Sequence, residues 1–199
     1  MKAASLTPLT SESRRHDPLP GDLAMWIFIL AELLVFAIFF ASYAFARSYN
    51  VELFNEYQQT LNRDIGAANT VILITGSLFV VLAVRAIRDG KVMLCRNWLL
   101  AALGMGSLFL TLKIIEFADK FGQGISLSTN SFYMFYLSLT FFHFMHVILG
   151  MVILAAVAWK AQQGAYCMIN YTGVETGASY WHMVDLVWIV LFPLVYVIR

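Results

Sequence analysis

The chain of 199 residues is 60% hydrophobic and 13% charged, with a mean hydropathy of +0.73, whereas a soluble domain carries roughly 25% charge. Most of it must therefore lie in lipid, leaving little for a water-exposed catalytic domain. Its 13 basic and 12 acidic residues are scattered rather than blocked, which excludes the electrostatic footprint of a nucleic-acid binder.

Residues 1–23 are polar and contain Pro8, Pro18 and Pro20, so a mobile tail is expected there. No small-residue cleavage site follows a short apolar stretch, and the first apolar run has full membrane length, so no signal peptide is expected. Uncharged or nearly uncharged runs follow at about 24–46, 68–87, 97–118, 131–159 and 177–198. Each is long enough to cross a bilayer at 1.5 Å per residue, which predicts an all-α, polytopic five-helix membrane domain over residues 24–198. Between the first two runs, Leu53, Phe54, Tyr57 and Leu61 recur at helical spacing and predict a short helix along the interface. Cys95 and Cys167 lack a C-x-x-C spacing and read as free thiols.

Basic residues set the expected orientation. A cytoplasmic N-terminus puts Lys2, Arg14, Arg15, Arg85, Arg88, Lys91, Arg96 and Lys160 inside. Arg47, Arg63, Lys113, Lys120 and Arg199 are left on or towards the other side, so the chain is expected N-in and C-out, with its C-terminus periplasmic.

An ionisable group retained inside an apolar run is expensive and tends to face protein or an aqueous pocket. In the first run that group is Glu32, with Phe28, Val35 and Phe39 on its face, read as a proton-responsive carboxylate, as a polar anchor near a conducting subunit, or as a neutral acid bonded within the bundle. In the fourth run Tyr136, Leu139, His143, His146 and Gly150 form one stripe. Two histidines make an incomplete metal shell, so helix-to-helix hydrogen bonds are the expected use of His143 and His146.

His182 and Asp185 lie one turn apart at the start of the last run and are expected to bond to each other or across to another helix. Further along that helix, Pro193 should loosen the turn before it. Ala102 and Gly106 suit close packing, Lys113 and Glu116 a local ion pair, and Asn69, Thr70, Thr75, Gly76 and Ser77 a helix contact. No Walker loop, dinucleotide fingerprint, H-E-x-x-H or G-x-S-x-G sequence occurs, so no residue is assigned as catalytic, cofactor-binding or metal-binding.

Three blocks, MWIFILAELLVFAIFFASY around Glu32, YLSLTFFHFMHVILG around His143 and His146, and YWHMVDLVWIVLFPLVY around His182 and Asp185, resemble subunit III of the haem-copper oxidase superfamily. ANTVILITGS and LGMGSLFLTLKIIEF extend the resemblance through nearly the whole apolar chain. The compact sequence is similar to the five-helix form, and within it to the subunit III-like protein associated with bacterial nitric oxide reductase.

The resemblance implies a noncatalytic accessory subunit in a bacterial cytoplasmic (inner) membrane, binding lipid and carrying no cofactor of its own. Its partner would be the catalytic subunit of a nitric oxide reductase or terminal oxidase, and that partner would hold the haem and metal. Glu32 would correspond to the family's buried glutamate, and His143, His146, His182, Asp185 and Glu116 to structural or partner-interface positions. The family's G-F-H-G-x-H pattern reads here as Phe141-Phe142-His143-Phe144-Met145-His146, with phenylalanine in place of two glycines. Two other readings predict different behaviour: a stand-alone membrane haem or metal oxidoreductase using His143, His146 and His182, or a small transporter or proton conductor centred on Glu32.

Overall fold

The computed structural model describes residues 22–198, so nearly all of the expected N-terminal tail lies outside the described residues. Its helices are α1 (Leu23–Tyr49), α2 (Val51–Gln58), α3 (Arg63–Arg88), α4 (Val92–Gly122), α5 (Ser131–Gln162) and α6 (Thr172–Phe192), continued by one π-helical turn at Pro193–Val197. The five long helices coincide with the five expected spans and are long and apolar enough to cross a membrane. Most outrun the expected bounds because helical hydrogen bonding continues through charged residues at their ends, such as Arg47, Arg63, Lys120 and Lys160. At 31 and 32 residues, α4 and α5 reach about 46–48 Å at 1.5 Å per residue, beyond a hydrocarbon core of roughly 30 Å.

Local chemistry fixes the helix ends. Asp22 accepts from the Ala24 amide, Asn62 from those of Asp64 and Ile65, and Asn130 from that of Tyr133. After α3, α4 and α5 the chain turns through Gly90, Gly124 and Gly164, each with φ of 75° or 76°, a region costly to residues with a Cβ. The amide after each glycine closes back on Ala86, Lys120 or Lys160.

Short connections make successive long helices antiparallel. The α3–α4 pairing is the most extensive contact, α4 packs on α5 and α5 on α6, and α6 also reaches α3 and α1. α6 is the most buried long helix and α1 the most peripheral. A short helix stands where one was expected, as α2, with Phe54 buried and Leu53 and Tyr57 half-buried against the bundle, and Leu61 buried just beyond its end. Phe54 packs its ring edge-on to Tyr43 and Phe132.

Pro193 has no amide hydrogen, so the α-helical ladder cannot pass through it. The chain widens there into the π turn, closed by the Ile198 amide on the Pro193 carbonyl. Gln58 of α2 donates to the Val195 carbonyl at 3.0 Å, satisfying part of that turn. Lys120 donates to the Thr60 carbonyl at 2.9 Å and ties the α2–α3 connection to α4.

Candidate functional site

Two polar centres meet α5, one half-buried and one fully buried. In the first, Glu32 Oε2 of α1 lies 3.0 Å from His146 Nε2, and His146 Nδ1 lies 2.8 Å from the Phe142 carbonyl. A carbonyl only accepts, so Nδ1 carries a hydrogen. Nε2 then either accepts from a protonated Glu32 or, as imidazolium, donates to its carboxylate. In both cases one proton is shared and the pair is neutral overall, which lowers its cost at membrane depth. Phe36 and Phe142 pack on the imidazole, with ring centroids 5.2 and 4.6 Å away. Replacing Glu32 with glutamine should preserve a donor to Nε2 and keep stability within about 1 kcal/mol, whereas Glu32→Leu should cost about 1–3 kcal/mol through the orphaned nitrogen. Thermal unfolding in mild detergent reads the difference; equal losses for both variants would rule out a proton held between the two residues.

His143 does not share this use. It is fully buried, neither ring nitrogen has a hydrogen-bond partner, and it packs instead on Trp188 at 5.2 Å and edge-on to Phe109 at 5.8 Å. The expectation that both histidines tie helices by hydrogen bonds therefore holds for His146 and is corrected for His143. Three residues along a helix rotate a side chain by about 60° from its neighbour, enough to face α4 and α6 instead of α1.

His182 and Asp185 are not bonded to each other, which corrects the local-pair reading. Asp185 is buried, and the Ser77 hydroxyl of α3 approaches it without completing a hydrogen bond. His182 is half-buried. Among the described residues, no group of three His, Cys, Asp or Glu side chains is placed to hold a metal ion.

The second centre enlarges the expected Lys113–Glu116 pair. Lys113 Nζ donates to Glu116 Oε2 at 3.0 Å and to the Tyr196 hydroxyl at 2.7 Å, while Tyr136 and Tyr196 each donate to Glu116 Oε1 at 2.6 Å. Lys113 is 0% exposed and its ammonium lies 4.9 Å from the Trp188 ring centroid, a favourable cation–π arrangement when desolvated. Tyr136 was legible as a member of the buried stripe on α5. Tyr196 was not, because its inward direction depends on the extra residue in the π turn.

Glycines shape the socket beside these centres. A Cβ on Gly106 would meet Trp181 and Met151 at 3.0 Å, one on Gly150 would meet Trp181 at 3.2 Å, and one on Gly76 would meet Met105 at 3.3 Å and Trp181 at 3.5 Å. Three helices thus close on a single indole. The expected close contact at Ala102 and Gly106 is present, with both residues buried. Of the expected α3 contact patch, Asn69, Gly76 and Ser77 are buried, and Thr70 accepts from the Trp188 indole at 3.0 Å. Thr75 bonds its own helix at the Val71 carbonyl. Phe141 and Phe144, which stand where the resembled family has glycines, stack at 6.3 Å, and Phe144 meets Phe117 of α4.

A polytopic helical membrane protein with two pairs of ionisable side chains joined inside its bundle is the class these features define. The family model described as Cytochrome c oxidase subunit III matches residues 21–198, and the chain belongs to that family. It is 34% identical over 191 residues to "Cytochrome c oxidase subunit 3" of Synechocystis sp., covering 94% of this chain and 80% of the relative. With "Cytochrome c oxidase subunit 3" of Thermostichus vulcanus it shares 31% identity, covering 88% and 86% of the two chains. "Heme-copper oxidase subunit I+III" of Aeropyrum pernix is 29% identical, over 92% of this chain and 24% of that longer protein.

Proposed function

We propose that this chain is a noncatalytic accessory subunit of a haem-copper oxidoreductase in a bacterial cytoplasmic membrane, docked to a catalytic subunit that carries the haem and metal. The observation that carries the proposal is the family match over residues 21–198. The joined designation I+III of the Aeropyrum pernix relative supports a catalytic partner. So does the internal use of the charged groups: Glu32 is spent on His146, and Lys113 and Glu116 on each other and two tyrosines. The work of the subunit is to stabilise the assembly through packing, with Glu32 and His146 holding a proton between α1 and α5.

The oxidase designations of its relatives support a terminal oxidase as the partner, and the sequence resemblance to the form associated with nitric oxide reductase keeps that enzyme as the second reading. Affinity purification of the tagged chain from native membranes in mild detergent tests the reading. Co-elution of a haem-bearing subunit is expected, and nitric oxide against oxygen consumption by the isolated complex identifies the acceptor. Repeated recovery without any oxidase or reductase subunit would overturn the proposal.

A further inference from the structure

α6 packs on α5, α3 and α1, and its open edge runs between α1 and α3, which are not extensively packed on each other. Ser179, His182, Leu186, Ile189 and Val190 follow one another along that edge at helical spacing. Ser179 and His182 are half-buried, and the other three are exposed. Gly76 and Gly106, which close on Trp181, stand near the middles of α3 and α4, so His182 and Asp185, within about one turn of Trp181, lie near mid-membrane.

These two residues stand apart from the other ionisable side chains inside the described spans. Glu32 pairs with His146, Lys113 with Glu116, and His143 is enclosed by rings. Neither His182 nor Asp185 forms a hydrogen bond or ion pair among the described residues, and Asp185 Oδ1 and the Ser77 hydroxyl near it are both buried and unbonded. Hydroxyls on the outer surface behave differently. Ser42, Ser107 and Thr111 each donate to the carbonyl four residues back at 2.8–2.9 Å, so they need nothing from outside. An imidazole and a carboxyl at an open edge in mid-membrane have no such internal route, and hydrocarbon tails offer them no partner. A neighbouring helix does, because polar side chains bond across helix contacts in membranes.

We propose that the α6 edge at His182 and Asp185 is the face on which the catalytic subunit docks, through a transmembrane helix whose side chain donates an N–H to Asp185. The proposal rests on the accessory-subunit reading above and adds the place and the chemistry of the contact. Leu186, Ile189 and Val190 supply an apolar flank for that helix, and an arginine, lysine or amide side chain supplies the donor.

The test places a photo-crosslinking residue at position 186, and separately at exposed position 108 of α4, in the tagged chain in native membranes. The haem-bearing subunit should be captured from 186 and not from 108. Asp185→Leu should lower the haem-bearing subunit recovered per chain about tenfold, and Asp185→Asn, which keeps an acceptor oxygen, by less than about threefold. Asp185 has no bond inside the chain to lose, so both variants of the isolated subunit should melt no lower than the wild type; a lower melting temperature in either makes Asp185 a structural residue and overturns the proposal. Undiminished recovery with Asp185→Leu overturns it as well, and so does capture at 186 of lipid alone or of a second copy of the chain. Capture of the haem-bearing subunit from 108 instead of 186 overturns the assigned face and leaves the accessory-subunit reading standing, whereas wild-type chain recovered without that subunit removes both.

Discussion

Glu116→Leu should be the most damaging substitution in the buried charge cluster, costing about 3–5 kcal/mol, because an unpaired charge is then left in the interior. It strands the Lys113 ammonium, which is 0% exposed, and also removes the acceptor for the Tyr136 and Tyr196 hydroxyls. Lys113→Met should cost less: the Glu116 carboxylate it leaves behind still accepts from both tyrosines, and hydrogen bonds to charged groups contribute about 1.5–3 kcal/mol each. Tyr136→Phe should fall lowest, since Tyr196 continues to donate to the same oxygen. The double variant Lys113→Met with Glu116→Leu should be more stable than the sum of the single losses, because neither charge is then buried alone. Unfolding of each variant in detergent micelles, set out as a double-mutant cycle, measures the coupling. Additive losses would show that the ion pair contributes nothing as a pair.

Trp181→Ala should cost about 3–5 kcal/mol, the range for removing a buried aromatic and leaving a cavity. The side chain is 1% exposed and is enclosed by Gly76, Gly106 and Gly150 from α3, α4 and α5. Those backbones were brought close to fit an indole, so the site cannot collapse fully around a methyl group. The reciprocal change, Gly106→Ala, forces contacts at 3.0 Å against both Trp181 and Met151. The methionine can move but the indole is held on every side, so overpacking should cost about 1–3 kcal/mol. Combining Gly106→Ala with Trp181→Phe should restore part of the loss. If the pair is no better than Gly106→Ala alone, the indole is not what limits the space beside position 106.

The same two sites show how far the amino-acid pattern reaches. Lys113 and Glu116 sit three residues apart on one helix, so their ion pair is local and was legible. The small residues Ala102 and Gly106 likewise announced a close helix contact. Neither pattern contains the group that completes the site, because Tyr196 and Trp181 come from a helix far along the chain. His143 and His146 mark the same boundary: three-residue spacing placed both on a buried stripe, but the neighbouring helix decided that one meets a carboxylate and the other meets only rings.

The sequence by itself determined five membrane spans, the identity of the few polar groups kept inside them, and a resemblance running through the apolar chain. These follow from hydropathy, helical period and local spacing, which are properties of contiguous residues. Only the tertiary structure decided which polar groups neutralise one another. It joined Glu32 to His146 across 114 positions and Glu116 to Tyr196 across 80, and left His182 and Asp185 apart. In an apolar medium a buried charge is stabilised by whatever partner packing brings within about 3 Å, and the packing of helices distant in the chain is not written in the spacing along any one of them.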